Sequence, residues 1–224
     1  MDTKDIYLVS IVLRKRYNNF PHYNLKNPLD ELLFILCSVM TPEGSYRGIF
    51  RKLKQKYPTF DSLKRVRARD MASIIKKGGL SNQKTIAIKK IVETIRLRFG
   101  RVTLSPLKKM GDHDVEEFLT SLPRVGVKVA RCVMMYSLDR EVFPVDTHIW
   151  RIVRRLGWVR PTNKEKSCRR NDMDRLQGKI PPDLRFSLHV NMISLGREIC
   201  LANRPKCEVC PIEKHCKKYG VGVG

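Results

Sequence analysis

Residues 122–130 read Leu122-Pro123-Arg124-Val125-Gly126-Val127-Lys128-Val129-Ala130. Helical patterns flank this stretch, from Asp114 to Leu122 and from Lys128 to Leu138. The short link between them predicts the turn of a helical hairpin. Backbone N–H groups at such a turn, next to a helix N-terminus, can bind a phosphate. An ordinary helical hairpin that binds no ligand fits these residues equally well.

Helical periodicity also dominates the rest of the chain. One buried helix is predicted to begin after Pro28, and the break at Pro42 ends it. Further helices are predicted around 49–57 and over 61–75, 82–99, 147–156 and 183–198, with a polar loop over 160–170. The apolar positions of helix 82–99 are Ile86, Ile88, Ile91, Ile95 and Leu97. No segment shows the alternation typical of a strand, so the sequence predicts an all-α fold.

The charge of the chain indicates the kind of partner. The 224 residues include 45 Lys and Arg against 22 Asp and Glu, which gives a net charge of +23. Such an excess favours binding to a polyanion, and nucleic acid is the first candidate because each neutralised phosphate releases counterions. No stretch is long and apolar enough to cross a membrane, and residues 1–5 lack the features of a secretory signal. We therefore expect a soluble intracellular protein that has no membrane partner.

The cysteines indicate a metal centre. Four of the seven lie within the last 25 residues, namely Cys200, Cys207, Cys210 and Cys216. Four thiolates on one loop can hold a zinc ion or a [4Fe–4S] cluster. Zinc ribbons usually contain two Cys-x-x-Cys pairs, whereas this segment contains one, so the spacing favours the cluster and leaves zinc as the alternative.

The cysteine spacing and the hairpin resemble the endonuclease III group of DNA glycosylases, and the resemblance extends from about Pro28 to Cys216. It implies that the four cysteines bind a [4Fe–4S] cluster. It also implies that a helix-hairpin-helix contacts DNA phosphates through Arg124, Val125, Gly126 and Val127, and that Lys206 beside the cluster contacts DNA. In the group the hairpin usually has a glycine where this chain has Arg124. A side chain at that position restricts φ.

The resemblance also assigns a catalytic pair. Lys128 occupies the position of the lysine that attacks the sugar and forms a Schiff base in the bifunctional members. By itself it would be interpreted as a solvated surface lysine. Asp146, in Phe143-Pro144-Val145-Asp146-Thr147-His148, matches the aspartate that stabilises positive charge on the sugar, and it is also a suitable helix N-cap. His148 is interpreted as a structural hydrogen-bonding residue. Related adenine glycosylases generally lack the lysine, so Lys128 favours a lyase.

The resemblance places two residues in the loops that fill the gap left by a flipped-out base, Met40 and Leu80. Many endonuclease III proteins have glutamine where this chain has Met40, which is equally suited to the core. Residues 143–147 and 155–159 are similar to plant 5-methylcytosine DNA glycosylases. Because the endonuclease III resemblance covers nearly the whole chain, an oxidised pyrimidine is the predicted substrate. Methylated or modified cytosine, mismatched bases, and a non-catalytic DNA-binding protein stay open as alternatives.

The resemblance further implies two helical domains with a DNA-binding cleft between them. A six-helix domain with the helix-hairpin-helix would span 29–141, and an iron–sulfur domain would combine 1–28 with 142–224. The expected partner is double-stranded DNA that contains a damaged or modified base. The expected state is a monomer, cytoplasmic and associated with the nucleoid if the source is prokaryotic.

Overall fold

The computed structural model describes residues 2–20, 23–39, 41, 44–76, 79–159 and 168–222. Within these ranges the protein is all-α, as predicted, with ten α-helices and no strand. The helices are α1 (Thr3–Tyr17), α2 (Pro28–Ser38), α3 (Tyr46–Lys56), α4 (Ala68–Ile75), α5 (Ser81–Phe99), α6 (Asp112–Ser121), α7 (Val127–Ser137), α8 (Thr147–Leu156), α9 (Arg170–Lys179) and α10 (Pro182–Glu198). In the described part of the chain, no helix is both long and apolar enough to span a membrane.

The chain forms two compact units. The central unit comprises residues 24–140, and the terminal unit combines residues 1–23 with 141–224. The described part of the central unit contains α2 to α7, and that of the terminal unit contains α1 and α8 to α10.

Helix α2 is the buried centre of the central unit, where it packs against α3, α5 and α7. Its start is determined locally. The side chain of Asn27 accepts hydrogen bonds from the backbone N–H groups of Leu29 and Asp30, and Pro28 occupies the first helical position. Nine of its eleven residues are buried, so α2 contributes a nearly continuous apolar surface to the core.

Two predictions for the central unit are wrong in detail. The helix predicted over 61–75 is a 3₁₀ turn, Phe60–Lys64, followed by α4 after an extended residue, Arg67. The turn and α4 each bury two residues. No side chain of residues 64–70 is buried, so no continuous apolar stripe of a single helix joins the two segments. In α5, Ile86 and Leu97 are 64% and 72% exposed. Its buried stripe instead includes Ile88, Ile91, Val92 and Ile95, which recur every three to four residues.

In the terminal unit, α10 packs against both α1 and α8. Helix α1 was not predicted because Tyr7, Leu8 and Ile11 are exposed apolar residues that obscure its buried stripe. Helix α9 was not predicted because it is mostly polar and buries only Met173 and Leu176. The loop predicted over 160–170 falls mainly on residues 160–167, outside the described part of the chain.

Candidate functional site

The hairpin predicted over residues 122–130 is present between α6 and α7. The backbone N–H of Val125 donates to the carbonyl of Leu122 over 3.1 Å, which closes the turn. Gly126 is the N-cap of α7, and among the described residues no side chain caps this helix N-terminus. Helix N-termini bind anions through backbone N–H groups and the helix dipole. The turn can therefore accept a phosphate at Gly126.

Arg124 adopts the left-handed conformation that glycine favours. Its φ is 64°, and a side chain in this region costs about 1 kcal/mol. Its guanidinium Nη1 donates to the Gln83 side-chain carbonyl over 2.8 Å. The hairpin therefore keeps the backbone conformation of a glycine-containing turn although a side chain is present, and that side chain contacts α5.

Gly126 has a different role from the glycine that Arg124 replaces. Its φ is −88°, which any residue can adopt. A Cβ added to it would meet nothing within 4 Å among the described atoms. Neither backbone conformation nor internal packing therefore requires glycine here. The absence of a side chain instead leaves the turn open to close approach by a ligand.

Lys128 is the second residue of α7 and is half-buried. The flanking residues Val125 and Val129 are buried, so the start of α7 is anchored in the apolar core of the central unit. The lysine is therefore held at a defined place next to the hairpin turn.

A cavity of about 230 Å³ lies in the central unit close to the hairpin. Its lining residues include Leu36, Val39, Lys84, Ala87 and Arg124. The buried Nζ of Lys84 donates to the carbonyl of Cys37 over 3.1 Å and to Oγ1 of Thr41 over 2.7 Å. Burial is the main cause that lowers the pKa of Lys84, and the nearby charge of Arg124 adds to it. Lys84 thus connects the end of α2 to the start of α5.

Of the two residues predicted to fill the gap left by a flipped-out base, the structure describes only Leu80. Met40 lies outside the described residues. Leu80 is half-buried and is the N-cap residue of α5, with a φ of 48°. Its left-handed conformation makes a sharp turn immediately before the helix.

Asp146 belongs to the terminal unit, where it is the N-cap of α8. Its Oδ1 accepts a hydrogen bond from the backbone N–H of Ile149 over 2.8 Å, so the predicted cap is present. No described residue donates a hydrogen bond to Oδ2. The cap therefore holds the carboxylate in one orientation while one oxygen stays available.

His148 has the structural role expected of it. Its Nδ1 lies 3.1 Å from Nη2 of Arg151. A Cβ on Gly196 of α10 would come within 2.7 Å of the His148 side chain. Glycine at position 196 therefore permits the close packing of α8 on α10.

Two arginines of α8 hold the segment that begins at Cys200, and neither was predicted from the sequence as part of the site. Arg151 donates from Nε to the Cys200 carbonyl over 2.8 Å. Arg155, which is 7% exposed, donates from Nη1 to Sγ of Cys200 over 3.2 Å and to the carbonyl of Leu201 over 2.7 Å. Its Nη2 donates to the carbonyl of Ala202 over 3.0 Å. The sequence did contain one sign of this role, because the i, i+4 spacing of the two arginines places them on the same face of a helix.

The four clustered cysteines line one cavity of the terminal unit together with Arg155, Lys206 and Lys218. Burial, with the neighbouring cysteine sulfurs, raises the pKa of Cys210 to about 11 and also raises that of Cys216. The sulfurs of the four cysteines are therefore close enough to interact electrostatically. Four thiols around one cavity can hold a metal centre, whose positive charge would offset the burial that disfavours the thiolates of Cys210 and Cys216.

The family comparison matches residues 41–177 to the HhH-GPD superfamily, described as base excision DNA repair proteins. A proposed DNA glycosylase of Arabidopsis thaliana is 32% identical, over 82% of this chain and 64% of that protein. Endonuclease III of Thermotoga maritima is 29% identical, over 95% of this chain and 93% of that protein. DEMETER-like protein 2 of Arabidopsis thaliana is 30% identical over 71% of this chain, a match that covers 13% of that protein. The chain thus spans less than two thirds of both plant relatives.

The fold is also similar to solved structures. A non-covalent complex of endonuclease III with DNA superposes with a TM-score of 0.79 at 22% sequence identity. The match covers 97% of this chain and 96% of that one. This likeness shows a shared all-helical fold.

Proposed function

Because the chain belongs to the HhH-GPD superfamily of base excision DNA repair proteins, we propose that it is a bifunctional DNA glycosylase and AP lyase. Its proposed partner is double-stranded DNA that contains a damaged or modified base. The observation that carries the lyase proposal is the half-buried amine of Lys128, in the first turn of α7 directly after the hairpin. If a DNA phosphate binds at this turn, the adjoining sugar would lie next to the lysine, which supports its proposed role.

In the proposed reaction, the target base is first flipped out of the duplex. The neutral Nζ of Lys128 attacks C1′ of the sugar, and the glycosidic bond breaks with its electron pair leaving on the base. Nζ then loses a proton and the C1′–O4′ bond of the sugar ring breaks with its electron pair on O4′, which converts this adduct to a Schiff base. The Schiff base makes the C2′ proton acidic, so loss of that proton and β-elimination expel the 3′ phosphate and cleave the strand. Lys128 must lose a proton before the attack.

Asp146 is the proposed electrostatic partner in this reaction. Its orientation is held by the hydrogen bond from Ile149 to Oδ1, while Oδ2 can face a developing positive charge on the sugar. The same carboxylate therefore serves as a helix cap and as a catalytic group.

The remaining predicted site residues are proposed to bind DNA. Gly126 and its neighbours Arg124, Val125 and Val127 would contact phosphate at the hairpin turn, and exposed Lys206 would contact phosphate near the cysteines. Leu80, with Met40 as its proposed counterpart, would fill the gap left by the flipped base. We also propose that the protein acts as a monomer and, if it is prokaryotic, in the cytoplasm at the nucleoid.

A [4Fe–4S] cluster is the proposed occupant of the cysteine site. A zinc ion with Zn–S bonds of about 2.3 Å would bring its sulfurs to about 3.8 Å from one another. Among the described residues, the potential ligand atoms that lie mutually within 4.8 Å are those of His113, Asp114 and Glu117, and the cysteine sulfurs form no such set. The wider arrangement suits a cluster whose thiolates bind separate irons. When bound, the cluster supplies a rigid centre that holds residues 200–216 in shape.

The cluster proposal is tested on the purified protein by its absorption and metal content. Broad absorption near ~400 nm together with bound iron supports it. A colourless protein with one zinc per chain contradicts it.

The lyase proposal is tested by borohydride reduction in the presence of a duplex that carries one abasic site. Borohydride should trap a covalent adduct between protein and DNA through the Schiff base. Lys128→Ala should abolish the adduct, whereas Lys90→Ala, which removes an exposed lysine of α5, should retain it. An adduct that persists in Lys128→Ala would show that another amine is the nucleophile. Specific binding without any adduct would favour the non-catalytic alternative.

An oxidised pyrimidine is the proposed substrate. Methylated or modified cytosine is the second candidate, because residues 143–147 and 155–159 resemble plant 5-methylcytosine DNA glycosylases. A panel of duplexes that differ only in the target base separates these two and the mismatched bases. The substrate is the base whose release is fastest under single-turnover conditions.

A further inference from the structure

Glu31 is a buried acid that the proposed mechanism does not use. It lies in the first turn of α2 and is 0% exposed. Its Oε2 accepts a hydrogen bond from the backbone N–H of Leu25 over 2.7 Å. Its Oε1 is buried, and among the described residues it has no hydrogen-bond partner. A half-satisfied carboxyl in an apolar interior destabilises the fold, so the residue calls for an explanation beyond packing.

The position of Glu31 supplies that explanation. Helix α2 packs against α7, which carries Lys128 in its first turn. Burial raises the pKa of Glu31 to about 7, and the charge of Lys128 acts in the opposite direction. The two groups therefore interact electrostatically across the packed pair of helices, and a buried carboxyl is screened less than one in water.

Four other cations on the helices packed against α2 contact other groups. Lys54 of α3 pairs with Asp30 at 2.7 Å. Arg131 of α7 pairs with Glu116 at 2.7 Å. On α5, Lys84 donates to Cys37 and Thr41, and Lys89 donates to the carbonyl of Val66. Arg96 of the same helix is half-buried and is not among the charges that change the pKa of Glu31. Helices α3 and α7 contain no acidic residue, and the one acid of α5, Glu93, is exposed. Among the described groups, Lys128 is thus the cation whose charge acts on Glu31.

We propose that Glu31 is a positioning residue that acts as the buried counter-charge of Lys128 and sets the pH at which this lysine becomes a nucleophile. The inference rests on the proposed role of Lys128. The step it controls is the loss of one proton from Nζ to water, in which the N–H bond breaks and its electron pair stays on nitrogen. An ionised Glu31 favours the ammonium form, and a neutral Glu31 does not.

The coupling predicts a specific shape for the pH dependence. Below about pH 7 Glu31 is protonated, so the wild-type protein and Glu31→Gln have the same charge at this position. Above that pH the wild-type carboxylate holds the proton on Lys128, whereas the glutamine does not. The two rate profiles should therefore coincide on the acidic side and separate on the alkaline side.

The test measures single-turnover adduct formation by borohydride trapping on a duplex with one abasic site, over a pH series that spans neutrality. In Glu31→Gln the half-maximal rate should occur about one pH unit lower, with rates up to about tenfold higher on the rising limb above neutrality. Asp30→Asn is the matched control. It removes a neighbouring carboxylate on the same helix, one that pairs with Lys54 instead, and should leave the profile unchanged.

Two outcomes overturn the inference. One is a Glu31→Gln profile that superposes on the wild type above neutrality. The other is a profile lowered by the same factor at every pH, which is the result of a purely structural role. Glu31→Asp retains the charge and should restore most of the wild-type profile.

A second measurement needs neither activity nor a folded Glu31→Gln variant. Carboxyl ¹³C NMR follows the titration of Glu31 in the wild-type protein and in Lys128→Ala. Because linkage is reciprocal, loss of the cation should raise the pKa of Glu31 above its wild-type value. An unchanged titration overturns the inference. A wild-type protein that traps no adduct but shows this NMR shift contradicts the proposed lyase function and leaves the Glu31–Lys128 coupling standing.

Discussion

Arg155 donates a hydrogen bond from its guanidinium to Sγ of Cys200 over 3.2 Å, while the same side chain binds the carbonyls of Leu201 and Ala202. The backbone carbonyl of Arg155 also accepts a contact of 3.3 Å from Sγ of Cys216. One residue of α8 therefore contacts both the first and the last of the four clustered cysteines. Asp146 caps the same helix, so α8 carries both a proposed catalytic group and the main support of the cysteine segment.

Arg155→Leu should therefore destabilise the protein. The substitution leaves the carbonyls of Leu201 and Ala202 without their donor, and hydrogen bonds to a charged group contribute about 1.5–3 kcal/mol each. We expect the free energy of unfolding to fall by about 3 kcal/mol, as measured by urea denaturation. Arg175→Leu, which removes an exposed arginine of α9, serves as the control. Equal stability of the two variants would contradict the support role of Arg155.

Two substitutions of Asp146 separate its capping role from its catalytic role. Asn caps a helix as well as Asp does, so Asp146→Asn should retain wild-type stability and yet lower the rate of adduct formation by about 10²–10⁴-fold. Asp146→Ala should lose the same activity and, in addition, about 1 kcal/mol of stability. Thermal denaturation and borohydride trapping measure the two effects. An active Asp146→Asn protein would restrict the residue to capping.

Arg124→Gly should relieve backbone strain at the hairpin. A φ of 64° costs a side chain about 1 kcal/mol and costs glycine little. We expect the free energy of unfolding to rise by up to about 1 kcal/mol, and affinity for DNA to fall because one cation is lost. Chemical denaturation and a salt series of DNA-binding measurements would show both changes. The log–log salt slope should become shallower by about 0.9 if Arg124 contacts one phosphate.

Gly126→Ala tests the openness of the hairpin turn. The folded chain has room for the added methyl group, so stability should change by less than about 1 kcal/mol, the usual range for an N-cap substitution. A phosphate in contact with the turn would meet the methyl group, so DNA affinity should drop at constant salt. Gly178→Ala, at a glycine of α9 that also has open space around it, is the control. Unchanged affinity in Gly126→Ala would place the phosphate elsewhere.

Glu31→Gln should alter the dependence of stability on pH. Folding raises the pKa of Glu31 from 4.5 to about 7. The contribution of this carboxyl is therefore fully present below about pH 4.5 and is lost as the pH rises through 7. Glutamine does not ionise, so the stability of the variant relative to the wild type should rise by about 3 kcal/mol across that window. Denaturation at a series of pH values measures the difference, and a constant difference would show that Glu31 has an ordinary pKa.

The sequence by itself determined the features that depend on neighbouring residues. The turn at 122–126 followed from two helical patterns with a very short link, and the cap at Asp146 followed from the residues after it. The all-α fold and a helix that begins beside Pro28 were predicted for the same reason. Helical periodicity and capping act over a few residues, so they can be recognised without the fold.

Only the tertiary structure decided which charged side chains are buried and what they contact. Glu31, Lys84 and Arg155 are ordinary charged residues in the sequence, and each is buried in the structure. The partner of Arg155 is 45 residues away along the chain, and that of Lys84 is 47 residues away. Burial of a charge depends on which helices pack together, and local sequence patterns do not encode that packing. For this reason the resemblance to endonuclease III was enough to propose Lys128 as a nucleophile, whereas the packing of α2 against α7 was needed to propose Glu31 as its counter-charge.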